Sequence, residues 1–370
     1  MGKCIRVLHL VSRLSYNTGV MNVLINYYRH IDHSCVQFDF VYFLDSDESL
    51  VKEVESTGGR IYCIPKPSHN LKVQQRIKEF MDKIGSDYVA FHNNEVYLSF
   101  FFAPLARKAG ILHFITHSHS SKLSDIWYKA IRNKILSLPA RWVSDYCFAC
   151  LPEAGRVVFS KHANLRIINN AIDANLYAYS DGKREEYRKQ LNIRENHFVV
   201  GHVGRFYPVK NHRFLLAVFS NVLKLDQNAV LVLVGNGLLM DQTVETSKKV
   251  GIYDNIRFLG SRTDVNNILS ALDAFILPSL FEGMPMSLME AQANGLKCYA
   301  SDTISIEANV GLCRFLPVNS QPELWANTII NNKKTSTYER ELGSQLVKDA
   351  GFDITTEAKK LQYFYMGLLQ

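Results

Sequence analysis

Residues 5–28, IRVLHLVSRLSYNTGVMNVLINYY, decide the fold of the first part of the chain. An apolar run at residues 5–11 predicts a strand, a polar turn leads to Gly19, and apolar residues at helical spacing follow at 20–28. A strand, a glycine-containing turn and a helix open a doubly wound α/β unit. We therefore expect a parallel sheet with helices on both faces.

The alternation of strands and helices continues and then starts again after a charged stretch at residues 180–196. The restart predicts two doubly wound, Rossmann-like domains, residues 1–177 and 178–353. Such domains in tandem have a crevice at the carboxyl ends of their strands, which is typical of a cleft enzyme. Strands are predicted at residues 5–11, 38–44, 60–64, 88–91, 112–116, 146–151 and 166–168, and again at 198–203, 229–234, 256–259, 274–277 and 297–300.

The composition of the 370 residues is that of a folded globular protein, with 47% hydrophobic and 21% charged residues. The longest nearly apolar run, residues 96–106, is too short to span a bilayer, and the first residues lack the apolar core of an export signal. We expect a cytoplasmic protein with reduced thiols. The CxxC spacing of Cys147 and Cys150 is also found at redox and metal sites, but here it lies in an apolar run that favours buried strand residues.

The net charge is +7, and the excess of positive charge is concentrated at residues 101–150, which contain seven Lys and Arg residues and two Asp residues. A helix capped by Ser124 would carry an apolar stripe that includes Ile131 and Ile135, with cations beside it. Residues 122–135 therefore suit peripheral contact with an anionic membrane, or an ordinary amphipathic helix packed on its own domain. Nucleic-acid binding is not expected, because no recognised binding motif accompanies the charge.

The stretch EGMPMSLME, residues 282–290, follows a predicted strand and carries the most chemical information. Pro285 suits the first turn of a helix and Gly295 suits its end, so a helix is predicted over residues 285–294.

The start of that helix predicts an anion site. The free N–H groups of Met286 and Ser287 are suited to a phosphate. Glu282 and Glu290 lie on either side of this site, and carboxylates beside a phosphate are expected to accept hydrogen bonds from hydroxyls. A sugar nucleotide offers one set of hydroxyls to each carboxylate.

Two cations follow the strand that opens the second domain. In GRFYPVK, residues 204–210, Arg205 can form a forked contact and Lys210 a point charge on the same diphosphate. Each alone would be an ordinary surface charge. Their place at the carboxyl end of a first strand favours a ligand-binding role.

A bound metal is not expected. Asp45-Ser46-Asp47 has the form of a short acidic metal motif, but it faces no predicted phosphate site, and a solvated loop is favoured. His113, His117 and His119 share one face only if their strand continues, and no carboxylate completes a ligand set. The two cations and the helix start already supply positive potential.

In order and spacing, these motifs resemble those of retaining glycosyltransferases of the GT-B fold, family 4, in the bacterial capsule and exopolysaccharide branch. The landmarks are Glu-x7-Glu at residues 282 and 290, G-R-x4-K at 204–210, VGNG at 234–237 and NAID at 170–173.

The resemblance implies that two domains face a central cleft, with residues 178–353 binding a nucleotide sugar. Residues 1–177 would form the acceptor side, and residues 354–370 would return to it as a helix. The implied activity is a metal-independent, retaining hexosyl transfer from a nucleoside-diphosphate donor, with UDP suggested, to a saccharide or polyprenyl-linked saccharide at the inner membrane face. No cofactor is implied, because the nucleotide sugar is a substrate.

The resemblance also implies individual roles. Glu282 would contact the transferred sugar, Glu290 the ribose hydroxyls, and Gly235 the ribose or base. His117 would contact the donor sugar near the reacting carbon, and His119 competes for that assignment. The donor diphosphate would be held by Arg205, Lys210, Met286, Ser287 and Gly19.

Three other functional classes fit the sequence less well. A non-catalytic partner subunit would be expected to lose Glu282, Lys210 or Arg205, all of which are present. A dinucleotide-dependent oxidoreductase would carry G-x-G-x-x-G after its first strand, and this chain does not. A membrane-associated scaffold is compatible with the basic helix but leaves the donor motifs unexplained.

Overall fold

The computed structural model describes residues 4–16, 18–119, 127–159, 165–333 and 336–369. The chain divides into two compact units. Unit 1 comprises Met1–Ala171 and Ile354–Gln370, and unit 2 comprises Ile172–Asp353. The sequence placed this boundary at residue 177.

Unit 1 is built on a parallel sheet. Among its described residues the strands are β1 Ile5–Leu10, β2 Val36–Tyr42, β3 Ile61–Cys63, β4 Ala90–Asn93, β5 His113–Ser118, β6 Tyr146–Ala149 and β7 Leu165–Ile167. Their order is β3-β2-β1-β4-β5-β6-β7, so successive strands are added on one side of β1 and then, from β4 onward, on its other side. This is the order of a doubly wound fold, whose switch point lies at the carboxyl ends of β1 and β4.

Helices cover both faces of this sheet. They are α1 Gly19–His30, α2 Glu48–Ser56, α3 Leu71–Ile84, α4 Ser99–Lys108, α5 Trp127–Ser137, α6 Ala140–Val143 and α7 Pro152–Phe159. One core cluster contains Phe91, whose ring stacks on those of Phe102 and Phe114 at centroid distances of 5.4 Å each. Burying such aromatic surface is the main source of stability for the unit.

Helix α5 turns two polar side chains toward unit 1 and two isoleucines of its apolar stripe toward solvent. Ile131 and Ile135 are 54% and 60% exposed, whereas Asn133 and Ser137 are buried. The expectation that the apolar stripe would pack on its own domain is therefore wrong for these two isoleucines. Residues i and i+4 share a helix face, and here the polar pair faces inward while the apolar pair faces outward. The predicted cap Ser124 lies outside the described residues.

Unit 2 repeats the architecture. Its described strands are β8 Phe198–Val203, β9 Ala229–Val234, β10 Ile256–Phe258, β11 Ala274–Leu277, β12 Lys297–Ser301 and β13 Cys313–Leu316, in the order β10-β9-β8-β11-β12-β13. Strand β13, at the sheet edge, was not predicted. The described helices are α8 Asp181–Gln190, α9 His212–Leu225, α10 Met240–Lys249, α11 Val265–Ala271, α12 Met286–Ala293, α13 Pro322–Asn331, α14 Thr337–Glu341 and α15 Gly343–Asp349.

The last helix, α16 Ile354–Gly367, belongs to unit 1. It contacts α1 and β2, and its Tyr365 is fully buried. The resemblance had implied such a return.

Several smaller features have structural explanations. Asp45 forms an exposed ion pair with Arg13, and Asp47 caps α2 by accepting a hydrogen bond from the Ser49 N–H at 3.0 Å. All seven cysteines are free thiols, and Cys147 and Cys150 are buried. Within the described part of the chain, no helix combines the length and the apolar character that a bilayer span needs.

Candidate active site

Helix α12 begins one residue later than the sequence predicted. Pro285 is its N-cap, with an extended ψ of 109°, and its carbonyl accepts hydrogen bonds from the N–H groups of Leu288 and Met289. Among the described residues, the N–H groups of Met286 and Ser287 have no backbone acceptor, as expected at a helix start. The helix therefore begins with free donors, and its dipole adds partial positive charge there.

Glu282 lies in the turn before α12 and is held by two neighbours. Lys210 Nζ lies 2.5 Å from Glu282 Oε1, and the Ser279 hydroxyl donates to the same oxygen at 2.8 Å. The Lys210 and Glu282 side chains are only 15% and 17% exposed. Ser279 is itself fixed, because its carbonyl accepts a hydrogen bond from Thr303 Oγ1 at 2.9 Å. The pair is thus rigidly placed and mostly removed from water.

Glu290 occupies a different environment inside the same helix. Burial raises the pKa of its carboxyl to about 7, although a hydrogen bond from the Tyr177 hydroxyl and the charge of Lys210 both act to lower it. Tyr177 is held in turn by its carbonyl, which accepts a hydrogen bond from Asn294 Nδ2 at 3.0 Å. Near neutral pH, Glu290 is therefore divided between its charged and neutral forms.

The two predicted cations lie in the loop between β8 and α9. Arg205 is exposed, with its guanidinium carbon 5.0 Å from the centre of the Tyr207 ring. Between these residues and Lys210 the loop is anchored by Phe206, which is fully buried and stacks on His212 at 4.1 Å. This anchor fixes the backbone from which both cations project.

Gly235 has a structural role in this loop. Its φ is +133°, and a Cβ there would overlap the carbonyl oxygen of Gly204. The two chain segments are also joined by hydrogen bonds, from Gly204 N–H to the Val234 carbonyl at 2.9 Å and from Phe206 N–H to the Asn236 carbonyl at 3.0 Å. Gly235 therefore permits close contact between the ends of β8 and β9.

The candidate histidines lie in unit 1, at the end of β5. His117 is 2% exposed, and its ring centre is 3.9 Å from that of His119. Burial lowers the pKa of both imidazoles, to about 3 for His119 and well below the ordinary value for His117, so both are neutral. Among the described residues, His117 Nε2 has no hydrogen-bond partner.

Gly19 is the first residue of α1, after the N-cap Thr18, whose side chain accepts a hydrogen bond from the Met21 N–H. Among the described residues, a Cβ on Gly19 would meet no atom within 4 Å beyond its own helix and its chain neighbours. The fold itself therefore does not require glycine there.

Unit 2 thus brings together Lys210, Glu282 and Glu290 beside the free end of α12. Sequence reasoning missed Ser279 and Tyr177. Ser279 could have been found from its place just after β11, whereas no local signal marks Tyr177. Across the described ranges, no three His, Cys, Asp or Glu side chains form a group that could hold a metal ion.

Comparison with known proteins bears on this site directly. Residues 183–331, which include both cations and both glutamates, match the family model described as glycosyl transferases group 1. These residues are a glycosyl transferases group 1 domain.

Relatives extend the likeness to the whole chain. The putative glycosyltransferase EpsF of Bacillus subtilis (strain 168) is 29% identical over 94% of this chain and 93% of its own length. A UDP-Gal:alpha-D-GlcNAc-diphosphoundecaprenol alpha-1,3-galactosyltransferase of Escherichia coli is 26% identical over 65% of this chain and 67% of its own length.

Solved structures identify the fold of this chain. HepE of Anabaena in complex with UDP superposes with a TM-score of 0.79 at 17% identity, covering 98% of this chain and 100% of that one. HepE has also been solved with UDP-glucose. The two Rossmann-like units are those of the GT-B fold, as the resemblance implied.

Proposed function

We propose that this protein is a retaining, metal-independent glycosyltransferase of family 4 that transfers a hexose from a UDP-sugar to a saccharide or polyprenyl-linked saccharide in surface polysaccharide assembly. The observation that carries the proposal is the Lys210–Glu282 pair beside the free N–H groups at the start of α12. The names of the relatives supply the substrate class, and HepE binds UDP and UDP-glucose.

The diphosphate would be bound by charge and by backbone donors. Arg205 would offer a forked contact and Lys210 a single cation, and the N–H groups of Met286 and Ser287 would donate to oxygens of the same diphosphate. The open space at Gly19 would let a phosphate or an acceptor approach that backbone. These groups replace the positive charge that a metal ion would otherwise supply.

The two glutamates would read hydroxyl groups. Glu290 would accept hydrogen bonds from the ribose, with Gly235 beside the ribose or base, and Glu282 would accept them from the transferred sugar. Hydroxyl donors favour the charged carboxylate, so binding should shift Glu290 toward ionisation. His117 would contact the same sugar near its anomeric carbon, with His119 as the alternative.

Transfer would break the bond between the anomeric carbon and the phosphate oxygen and form one to the acceptor oxygen on the same face. The leaving phosphate oxygen would take the acceptor proton, so no separate base is needed. The negative charge that develops on the diphosphate is stabilised by Arg205, Lys210 and the α12 dipole.

A panel of nucleotide sugars, screened by thermal shift and then by transfer, would identify the donor, because a bound ligand raises the unfolding temperature. Glu290→Gln should weaken UDP binding, whereas Glu282→Gln should mainly lower kcat. Glu245→Gln, which changes an exposed carboxylate of unit 2, is the matched control. Equal, mild effects at both candidate positions would contradict the assignment.

We also propose that the outer face of α5 contacts an anionic membrane. Ile131 and Ile135 project outward, Trp142 in α6 is 66% exposed, and the Arg141 guanidinium lies 4.0 Å from the centre of the Trp142 ring. Exposed apolar residues flanked by cations match the chemistry of an anionic lipid surface.

Sedimentation with phosphatidylglycerol vesicles tests this contact. Ile131→Ser with Ile135→Ser should lower binding several-fold, whereas Leu71→Ser, at a leucine that is 79% exposed elsewhere in unit 1, should not. Equal binding to phosphatidylcholine vesicles, or no effect of the paired change, would contradict the proposal.

A further inference from the structure

A buried hydrogen-bond chain connects the returning helix α16 to His117. The Tyr365 hydroxyl lies 2.6 Å from His92 Nδ1, and His92 Nε2 lies 3.2 Å from His117 Nδ1. Tyr365, His92 and His117 are 0%, 1% and 2% exposed. This series of hydrogen bonds runs from Tyr365 in α16, through His92 in β4, to His117 in β5.

The protons in this chain can be arranged in only two ways. Burial lowers the pKa of both imidazoles well below the ordinary value, so each ring carries one proton, on one nitrogen or the other. Either His92 Nε2 donates to His117, or His117 Nδ1 donates to His92. The first arrangement leaves the proton of His117 on Nε2, and the second leaves it on Nδ1.

Tyr365 distinguishes these arrangements. Its hydroxyl is hydrogen-bonded to His92 Nδ1, and the residue is fully buried. If His92 Nδ1 donated to Tyr365, the hydroxyl proton would itself be left buried without an acceptor, which is unfavourable. If Tyr365 donates, the proton without an acceptor is instead the one on His117 Nε2. The distance decides between the two arrangements, because 2.6 Å between the Tyr365 hydroxyl and His92 Nδ1 is short for an N–H donor and within the range of an O–H donor. Tyr365 is therefore the donor. His92 then carries its proton on Nε2, and so does His117.

We propose that Tyr365 and His92 are positioning residues that hold His117 in its Nε2–H form, so that His117 presents a hydrogen-bond donor to an oxygen of the donor sugar. The contact with sugar rests on the proposed function. The fixed tautomer does not, because it follows from contacts within unit 1 alone.

The neighbouring His119 presents the opposite chemistry. Asn94 Nδ2 donates to the carbonyls of Leu10 and His92, which fixes the orientation of its amide and turns Oδ1 toward His119. His119 Nε2 therefore donates to Asn94 Oδ1 at 2.9 Å, and its Nδ1 carries only a lone pair. Of the two competing histidines, His117 has the unused donor, whereas His119 offers only an acceptor.

The tautomer can be measured directly by nitrogen NMR of the full chain labelled with 15N-histidine, since protonated and unprotonated ring nitrogens have distinct shifts. We expect His92 and His117 each as a single Nε2–H species. Tyr365→Phe should produce a mixture of forms at both rings. Tyr27→Phe is the matched control, because it removes another buried hydroxyl of unit 1, one that donates to the Asn169 carbonyl at 2.7 Å.

The rate of sugar transfer should depend on the fraction of His117 in the Nε2–H form. Equal populations of the two forms would halve kcat, and preference for the other form would lower it by about 10-fold or more, as expected for loss of one positioned donor. The KM for the donor should stay nearly constant, because unit 2 binds the nucleotide. Tyr27→Phe should leave kcat unchanged.

A second pair of variants covers the case in which Tyr365→Phe fails to fold. His92→Gln keeps an N–H donor toward His117 Nδ1, whereas His92→Leu removes it, so only the glutamine variant should retain the Nε2–H signal and most of kcat. Finding His117 as the Nδ1–H form, or unchanged in Tyr365→Phe, would overturn the proposal. A correct tautomer with no effect on transfer would instead count against the proposed contact between His117 and sugar.

Discussion

Replacing Glu290 by Gln should raise the free energy of unfolding of unit 2, relative to the native chain, by more at pH 8 than at pH 4. In the folded chain, burial raises the pKa of Glu290 from 4.5 to about 7. A raised carboxyl pKa contributes stability that is fully present below the unfolded value and is lost as the pH rises toward the folded value. Glutamine has no proton to lose, so the variant escapes this loss.

The magnitude follows from the shift. From 4.5 to about 7 is roughly 2.5 pKa units, and at about 1.36 kcal/mol per unit the upper limit is ~3.4 kcal/mol. Glu290 is only partly buried as a whole residue, and solvent screening lowers this figure to about 2–3 kcal/mol. The difference in unfolding free energy should therefore grow between pH 4.5 and 7 and stay constant above about pH 8.

Denaturant unfolding at a series of pH values measures this difference. Trp325 is fully buried in the core of unit 2, so its fluorescence reports that unit when Trp127 and Trp142 of unit 1 are changed to Phe. Glu195→Gln, which removes an exposed carboxylate from unit 2, is the matched control. A difference that does not vary with pH, or that falls as the pH rises, would refute the reasoning.

Three further predictions concern stability. Lys210→Met and Glu282→Gln should each lower the unfolding free energy of unit 2 by about 2 kcal/mol, because each change leaves a partly buried charged partner unpaired. The double variant should lose about 1–2 kcal/mol less than the sum of the two single losses. Additive losses would contradict the ion pair. Gly235→Ala should lower the unfolding free energy by about 2–4 kcal/mol. Gly251→Ala should lower it by about 1 kcal/mol, because φ is also positive there but, among the described residues beyond its chain neighbours, no atom lies within 4 Å of the added Cβ. Equal unfolding free energies for the two variants would contradict the close approach at Gly235. Asp39→Asn should destabilise unit 1 by about 3–5 kcal/mol, because this buried carboxylate accepts hydrogen bonds from Arg6 Nε, Arg6 Nη2 and the Tyr88 hydroxyl, and a cost below about 1 kcal/mol would contradict that role.

The sheets were largely predictable because most strands are apolar runs bounded by turn residues. Strands β8, β9 and β11 have the predicted bounds. Strand β13 was missed because it is short, lies at an edge and has an exposed Arg314 between its buried ends, so it lacks a continuous apolar run. Local sequence predicted the strands that are continuous apolar runs, but it could not predict which short segment would pair with the edge strand of the sheet.

The candidate site shows the same limit more sharply. The residue types and their spacing indicated which side chains carry charge, but Lys210 and Glu282 are 72 positions apart, and their pairing depends on the fold. The raised pKa of Glu290 likewise comes from burial, which its own helix does not determine. For α5, the apolar stripe was visible in the sequence, but whether it faced the unit or the solvent depended on the elements that pack beneath it.

The Lys210–Glu282 pair also suggests an order of events at the site. Without a ligand, Glu282 satisfies Lys210, and Ser279 holds the carboxylate in place. A diphosphate would compete for the lysine, and its two or more negative charges near Arg205 and the start of α12 make it the stronger partner. As Lys210 turned to the phosphate, Glu282 would lose its cation while remaining held by Ser279, and hydroxyls of the incoming sugar could then replace the lost hydrogen bond. Under the proposed function, the same carboxylate would thus orient Lys210 before binding and the sugar after it, which would account for a mostly buried ion pair at a place where two separate contacts are required.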